Sequence, residues 1–437
     1  MKRLSLLLLA AFAAPLVQAA DLDEIYREAQ SRDAAFASAR AAYKASQEKL
    51  PQGRALLLPS INLTANTNYN DVDSHIHGGA STNPTYSSHG YAVSLSQPVY
   101  RKQNQVQYEE AKLQVAQAAS QLNIAQQDLI LRVAQAYFDE LLAQDSVAFA
   151  AAQKTAIAEQ LAQAKRNFEV GTTTITDTHE AQAKYDLVTA QEIAALNDLE
   201  VKKHALQKII GKIPGKLNGL GEKMPLQLPE PNDMDKWVAT SEQQNLQLQI
   251  QRSALELAQQ EVERNRGARH PTLDLVASYT DSNQGNSTQG YGSDSQTKVI
   301  GLQLAMPLYQ GGALSSKISE ALANKEKAVQ DLEESQRQIA LQTRQTFLGV
   351  TSGVAQVKAL EQALVSSQSS LDSTKLGFEV GVRTSVDVLN AQQQLFSAKR
   401  DLAQARYNYI LSQLKLRAAA GTLSDGDVTQ VNGWLGK

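Results

Sequence analysis

Cysteine is absent from the 437 residues. That excludes disulfides, thiolate metal sites, a catalytic thiol and a lipid-bearing N-terminal Cys. Aromatic residues make up only 5% of the chain, while Ala and Gln are abundant. Such a composition favours long helices packed through small side chains over one large globular core. An excess of either charge is also missing: 42 Lys+Arg stand against 45 Asp+Glu, for a formal charge of −3. The basic surplus of a nucleic-acid binder is not there, so no nucleic-acid partner is expected. No stretch reaches the roughly 18 consecutive apolar residues of a membrane-spanning helix.

The chain opens with a pattern of export. Lys2 and Arg3 precede a mostly apolar run from Leu4 to Val17, and Val17-Gln18-Ala19 supplies small residues for cleavage. The run has 14 residues, too few to cross a bilayer as a helix. Residues 1–19 are therefore expected to be a signal peptide. An exported chain without a spanning helix is either soluble outside the inner membrane or crosses a membrane as a β-barrel.

An internal repeat organises the rest. Phe168-Glu169-Val170-Gly171 recurs as Phe378-Glu379-Val380-Gly381, Asp177 matches Asp387, and Gly211 matches Gly421. Leu58-Pro59-Ser60-Ile61 matches His270-Pro271-Thr272-Leu273, and Gln97-Pro98-Val99-Tyr100 matches Met306-Pro307-Leu308-Tyr309. Repeat 1 is placed at 20–210 and repeat 2 at 236–420. Between them lies a linker at 211–235 holding Pro214, Pro225, Pro229 and Pro231, and a C-terminal segment follows at 421–437. Each repeat reads as a first helix (about 21–50 and 233–267), two strands, a long helix, a Gly turn and a second helix. The long helices are expected at 101–170 and 313–380, and the second helices at 172–210 and 382–420. From Arg101 to Val170 no Gly or Pro occurs over 70 residues, roughly 105 Å if helical throughout. Gly349, Gly353 and Gly377 mark places where the other long helix is expected to bend or break. Ala391, Leu395, Ala398, Leu402, Ala405 and Tyr409 follow coiled-coil spacing; the matching seam in repeat 1 has one polar interruption, Glu192.

The four strand segments, 61–69, 91–99, 272–280 and 298–306, alternate apolar and polar residues. Ile61, Leu63, Ala65 and Tyr69 oppose Asn62, Thr64, Asn66 and Asn68; Ile300, Leu302, Leu304 and Met306 oppose Gly301, Gln303 and Ala305. One apolar face over about ten residues is the pattern of an outer-membrane barrel strand, and a soluble sheet lying on helices is the competing reading. Four strands cannot close a barrel. Two chains would give about eight, whose interior side chains fill, so the small polar inner face favours three chains and a wider, wet lumen. Pro98 and Pro307 are expected to end the second strand of each pair. Segments 70–90 and 281–297, rich in Gly, Ser, Asn and Asp, read as exposed loops.

No constellation for catalysis is visible: no zinc-protease, phosphate-loop or dinucleotide motif occurs. The chain is not expected to be an enzyme or to need a cofactor. His75 and His77 with Asp73 have metal-ligand spacing, but a polar exposed loop accounts for them and no metal site is assigned. The informative constellation is at the helix–helix turns, expected at the end of the long helices away from the strands. Gly171 is followed by Thr174, Thr176 and Asp177; Gly381 is followed by Arg383, Asp387 and Asn390. Around a threefold axis Asp387 makes a ring of carboxylates, which favours cations, and Arg383 and Asp177 are positioned to link neighbouring helices. The plainer reading of both aspartates is a helix start favoured by the dipole.

The tandem repeat, the four strands, the Phe-Glu-Val-Gly turns, Arg383-Thr384-Ser385-Val386-Asp387-Val388-Leu389 and Ala405-Arg406-Tyr407-Asn408-Tyr409 together resemble the TolC family of outer-membrane efflux and type I secretion channels. The resemblance covers essentially the whole chain after the leader and lies nearer the unlipidated members. It implies a membrane β-barrel joined to an α-helical coiled-coil barrel: a homotrimer with a shared twelve-stranded barrel in outer-membrane lipid and a tunnel across the periplasm. The implied partners are a periplasmic adaptor (membrane fusion protein) and an inner-membrane ABC or proton-driven transporter. Carried over residue by residue, Asp387 is the first aperture-ring aspartate and Asn390 stands where a second is expected. Arg383 is the tip arginine, Asp177 its carboxylate partner and Thr176 a tip threonine. Phe378 replaces a tyrosine that bonds the same carboxylate, so one closing link is missing. The implied function is a passive exit duct gated at its periplasmic tip; the alternative reading is a periplasmic coiled-coil adaptor or structural rod.

Overall fold

The computed structural model of the protein describes residues 20–73, 75, 77, 83–221, 224–285 and 291–436. The expected signal peptide and the middle of each exposed loop lie outside the described residues. In chain order the elements are α1 (Leu22–Arg32), α2 (Ala34–Gln47), α3 (Lys49–Ala55), β1 (Ser60–Asp71), β2 (Thr85–Tyr100), α4 (Lys102–Glu169) and α5 (Ile175–Ile210). Then come α6 (Met234–Gln244), α7 (Leu246–Gly267), β3 (Thr272–Gln284), β4 (Ser293–Ala305), α8 (Ala313–Glu379), α9 (Ser385–Ala420) and α10 (Asp425–Asn432). The chain forms two compact units. One comprises the chain up to Ala39 with Asn123–Asn245 and everything from Gln338; the other comprises Arg40–Leu122 and Leu246–Arg337.

The run without Gly or Pro folds as expected for an uninterrupted hydrogen-bond ladder: α4 is a single helix of 68 residues. The expected break in α8 does not occur, and its 67 residues are one helix. Of its three glycines only Gly377 is closely packed, while Gly349 and Gly353 sit at ordinary contact distances. A Cβ on Gly353 would stand 3.6 Å from the Tyr409 ring, and one on Gly377 only 2.8 Å from Cγ of Arg383.

The first helix of each repeat, by contrast, is divided. Asp33 and Asn245, one repeat spacing apart, both take extended backbone and end α1 and α6. The Asp33 carboxylate then accepts from the Phe36 N–H at 2.7 Å, capping α2. The Asn245 amide donates to the Ala419 carbonyl at 2.9 Å. Both side chains are buried, so neither break is a surface accident. In α3, Pro51 falls in the first turn, where its missing N–H costs no ladder bond.

The second unit holds one antiparallel sheet of order β1-β2-β3-β4. Its central pairing, β2 with β3, joins the two repeats. Apolar residues pair with apolar ones across it: Ile61 with Leu95, Leu63 with Val93, Leu95 with Ala277, Ala277 with Ile300, and Leu275 with Leu302. The opposite face pairs Asn62 with Ser94, Ser94 with Ser278, and Thr280 with Thr297. The strands run further into the loop segments than the alternation of apolar residues indicates, because the backbone ladder continues between polar residues such as Asn283 and Asp294. β2 also continues two residues past Pro98, which correction has a local cause. The register shifts between Pro98 and Tyr100, and a bulge accommodates a residue that cannot donate. β4 ends at Ala305, before Pro307. At the foot of the sheet Arg101 grips Asp274 through two bonds of 2.8 and 2.6 Å.

In the first unit the aromatic core is compact. Tyr137 meets Phe138 edge-on at 5.6 Å, and Phe138 stacks on Tyr407 at 5.6 Å. The linker between the repeats is tied into this unit. The Tyr137 hydroxyl donates to the Asn218 carbonyl at 2.7 Å, and Leu220 bridges to Leu435 near the C-terminus. Tyr409 of α9 accepts from the Gln227 N–H and donates to the Gln227 carbonyl, both at 2.8 Å.

Candidate membrane face and helix-turn site

The apolar face of the sheet is not covered. Ile61 is 68% exposed, Leu63 70%, Ile300 79% and Leu302 68%. A contiguous apolar surface of this kind marks a contact with lipid or protein. Along β1 it runs from Ile61 to Tyr69, nine residues or about 30 Å of extended chain. Tilted at the usual barrel angle, that length suits an apolar band of about 25 Å. Among the described residues the outer edges of β1 and β4 have no strand partner. Exposed edges of twelve and thirteen residues are templates for further pairing. No helix among the described residues is long and apolar enough to cross a membrane.

The two helix turns are built alike. Gly171 (φ 78°) and Gly381 (φ 79°) occupy left-handed backbone that other residues resist. The Thr172 N–H reaches back to the Asn167 carbonyl at 2.8 Å, and the Val382 N–H to Gly377 at 2.8 Å. These bonds satisfy the last carbonyls of α4 and α8. The next helices begin with reciprocal caps. The Asp177 N–H donates to the Thr174 hydroxyl at 3.3 Å, while the Thr174 N–H donates to the Asp177 carboxylate at 3.2 Å. Thr384 and Asp387 repeat the pair at 3.2 and 2.9 Å, and the Thr384 hydroxyl adds a bond of 3.0 Å to the carboxylate. Hence α5 and α9 start at Ile175 and Ser385, three residues later than the Gly-turn pattern indicates. Both aspartates thus act as helix starts, and the Thr-x-x-Asp spacing that encodes the cap is plain in the sequence. The bonds from Thr384, aided by the nearby Arg383 charge, hold the Asp387 carboxyl below the usual carboxylate range.

Arg383 and Asn390 are exposed, as is Thr176. Among the described residues no ion pair joins Arg383 to Asp177 within the chain. Phe378 packs against the cluster of Leu371, Val388 and Leu395. The polar interruption Glu192 is explained by Lys154 of α4, whose ammonium reaches it at 2.6 Å. Lys184 of α5 donates to Gln393 of α9 at 3.0 Å, joining the two repeats near the turns. Gln392 is a residue that sequence reasoning missed: it is 3% exposed on α9, and its side-chain oxygen has no partner among the described residues. Glu140 of α4, 1% exposed, likewise has one unpartnered oxygen, and burial pushes its carboxyl up. His75 Nε2 lies 3.4 Å from Asp73 in an exposed pair. No group of three His, Cys, Asp or Glu residues suited to a metal occurs among the described residues.

This geometry has known counterparts. A family profile described as Outer membrane efflux protein matches residues 25–212 and 237–422. The outer membrane protein TolC of Vibrio cholerae is 38% identical over 421 residues, covering 96% of this chain and 94% of that protein. The proteases secretion protein PrtF of Dickeya chrysanthemi is 30% identical over 425 residues, covering 96% and 92%. Among solved structures, the CmeC outer membrane channel of Campylobacter jejuni superposes with a TM-score of 0.80 at 16% identity, covering 94% of this chain and 89% of that one. That last likeness concerns the fold alone.

Proposed function

The chain belongs to the outer membrane efflux protein family, and on that premise we propose that it is the outer-membrane channel of an efflux or type I secretion system. It acts as a passive duct. The observation that carries this reading is a four-stranded sheet with one bare apolar face and two edges unpaired among the described residues. Lipid covers the face. Further copies of the chain cover the edges, and three copies give a barrel of twelve strands with room for a wet lumen lined by the Asn, Ser and Thr face. The long helices of three copies continue as a tunnel through the periplasm.

The helix turns form the gate in this reading. Asp387 contributes one carboxylate per chain to a ring that attracts cations, and Asn390 adds a neutral second layer. Arg383, exposed and without an ion pair among the described residues of its own chain, latches onto Asp177 of a neighbouring helix, with Thr176 beside it. Phe378 lends packing but no hydrogen bond, so closure depends on Arg383. A periplasmic adaptor recruited by an inner-membrane ABC or proton-driven transporter opens the tip. Relatives named for protease secretion support a polypeptide cargo.

The experiment is mass determination of the purified protein in detergent, followed by reconstitution in a planar bilayer. Trimers with a discrete, cation-preferring conductance are expected. A stable monomer that forms no pore overturns the reading.

A further inference from the structure

The first unit holds a cavity of about 940 Å³ that the duct reading does not use. Its walls come from α2, α4, α5 and α9. It is an open groove whose apolar floor is Leu131 and Ala136 of α4 with Val201, Ala205 and Ile209 of α5, Val201 being 55% exposed. Cavities of about 300–1,000 Å³ with such floors accept small organic ligands.

The rim selects charge. Arg132, Lys202, Lys208 and Lys415 stand around it, with Asp33 and Asp139 as the acidic members. Both acids are engaged. Asp33 holds Arg132 through two bonds of 3.0 and 3.1 Å and caps α2. Asp139 accepts from Gln135 at 2.8 Å and lies 3.6 Å from Lys202. Arg132 is engaged a second time, by Asp128 at 2.7 Å. Lys208 and Lys415 have no ion-pair partner among the described residues. An apolar floor is thus edged by two uncompensated ammonium groups brought together from α5 and α9.

We propose that this cavity binds a soluble single-tailed anionic amphiphile, its apolar body on the Leu131–Val201–Ile209 floor and its anion between Lys208 and Lys415. Charge complementarity commits the site to an anion. A neutral amphiphile would meet the same floor but leave both ammonium groups unanswered. All of the lining residues belong to one chain.

The test uses the full-length protein held in amphipol, titrated by calorimetry with laurate and, separately, with dodecanol. Saturable laurate binding, stronger than dodecanol binding, is expected. The double variant Lys208→Gln/Lys415→Gln should weaken laurate at least about tenfold, close to 1.4 kcal/mol, and leave dodecanol unchanged. Val201→Trp, which fills the floor, should weaken both ligands while the melting temperature holds. Equal laurate binding by parent and double variant overturns the proposal, as does dodecanol binding as tightly as laurate. Dissociation of the oligomer by Val201→Trp also overturns it, because a second copy would then occupy the groove. A chain that binds laurate but forms no pore keeps this site and loses the duct; a pore without laurate binding does the reverse.

Discussion

Tyr407 of α9 donates a 2.7 Å hydrogen bond to the carboxylate of Asp145 on α4, with its ring stacked on Phe138. The neighbouring Arg406 grips Glu361 of α8 at 2.7 Å. Tyr409, two residues after Tyr407, holds the linker at Gln227. One turn of α9 therefore ties two long helices and the inter-repeat segment together. Tyr407→Phe keeps the ring and removes the donor, leaving a half-buried carboxylate without that partner. A loss of about 1.5–3 kcal/mol is expected, read as a lower melting temperature in detergent. An unshifted melting temperature would remove this bond from the account.

The same carboxyl gives a pH signature. Burial raises the Asp145 pKa from its ordinary 3.8, against the opposing bond from Tyr407. Below 3.8 both folded and unfolded chains are protonated there, and nothing is lost. As pH rises, the unfolded chain ionises first, so stability falls until the folded pKa is passed. Asp145→Asn cannot ionise and still accepts from Tyr407. As pH rises above 3.8 the parent should lose more stability than this variant. Comparing the two melting curves separates Asp145 from Glu140, which burial raises in the same direction. Parallel curves would show that Asp145 does not contribute.

At the turn, cap and charge can be separated. Thr384→Ala removes the hydroxyl that receives the Asp387 N–H but leaves the carboxylate; the cap is worth about 1 kcal/mol, and fraying of the α9 start should raise leak. Asp387→Asn preserves an acceptor for the Thr384 N–H but abolishes the charge. Reversal potentials in a salt gradient should then show lower cation preference and weaker block by multivalent cations. The Thr384 bonds lower the Asp387 pKa and so favour the charged ring as pH falls, against the mutual repulsion of the three carboxylates. Selectivity identical in parent and Asp387→Asn would withdraw the ring.

Arg383 has the simplest test. Arg383→Ser should raise single-channel conductance and increase entry of large antibiotics into cells carrying the variant. If conductance does not change, no latch runs through this side chain.

The two faces of the sheet should respond oppositely to the same charge. Leu63→Arg puts a guanidinium in the middle of the apolar face, at a cost of about 2–4 kcal/mol per chain, and should deplete the protein from outer membranes. Thr64→Arg, one residue on, points to the polar face, where Thr64 pairs with Ala92, and should assemble normally. Equal depletion by both would mean that lipid does not lie against Leu63.

Much of the architecture is legible because it is encoded locally. A helix needs only an unbroken ladder, so the absence of Gly and Pro announces α4. A left-handed turn needs glycine, so Phe-Glu-Val-Gly announces both helix reversals. Strand alternation reports a sheet with unlike faces whatever its neighbours are. The breaks at Asp33 and Asn245 were less visible, since each depends on a buried polar partner. The long helix expected at 313–380 is continuous as α8, and the bend or break its glycines suggested is absent for the converse reason. Gly377 looks like a helix breaker until Arg383 is seen against it.

Periodicity and the repeat by themselves determined four strands, two long helices and two matching turns per chain, because these follow from backbone chemistry within a few residues. Only the tertiary structure decided that Tyr407 meets Asp145, 262 residues earlier, that Lys154 neutralises Glu192, and that Lys208 and Lys415 share one cavity mouth. Such meetings depend on how helices pack side by side, and packing brings together residues whose separation along the chain carries no trace of the contact.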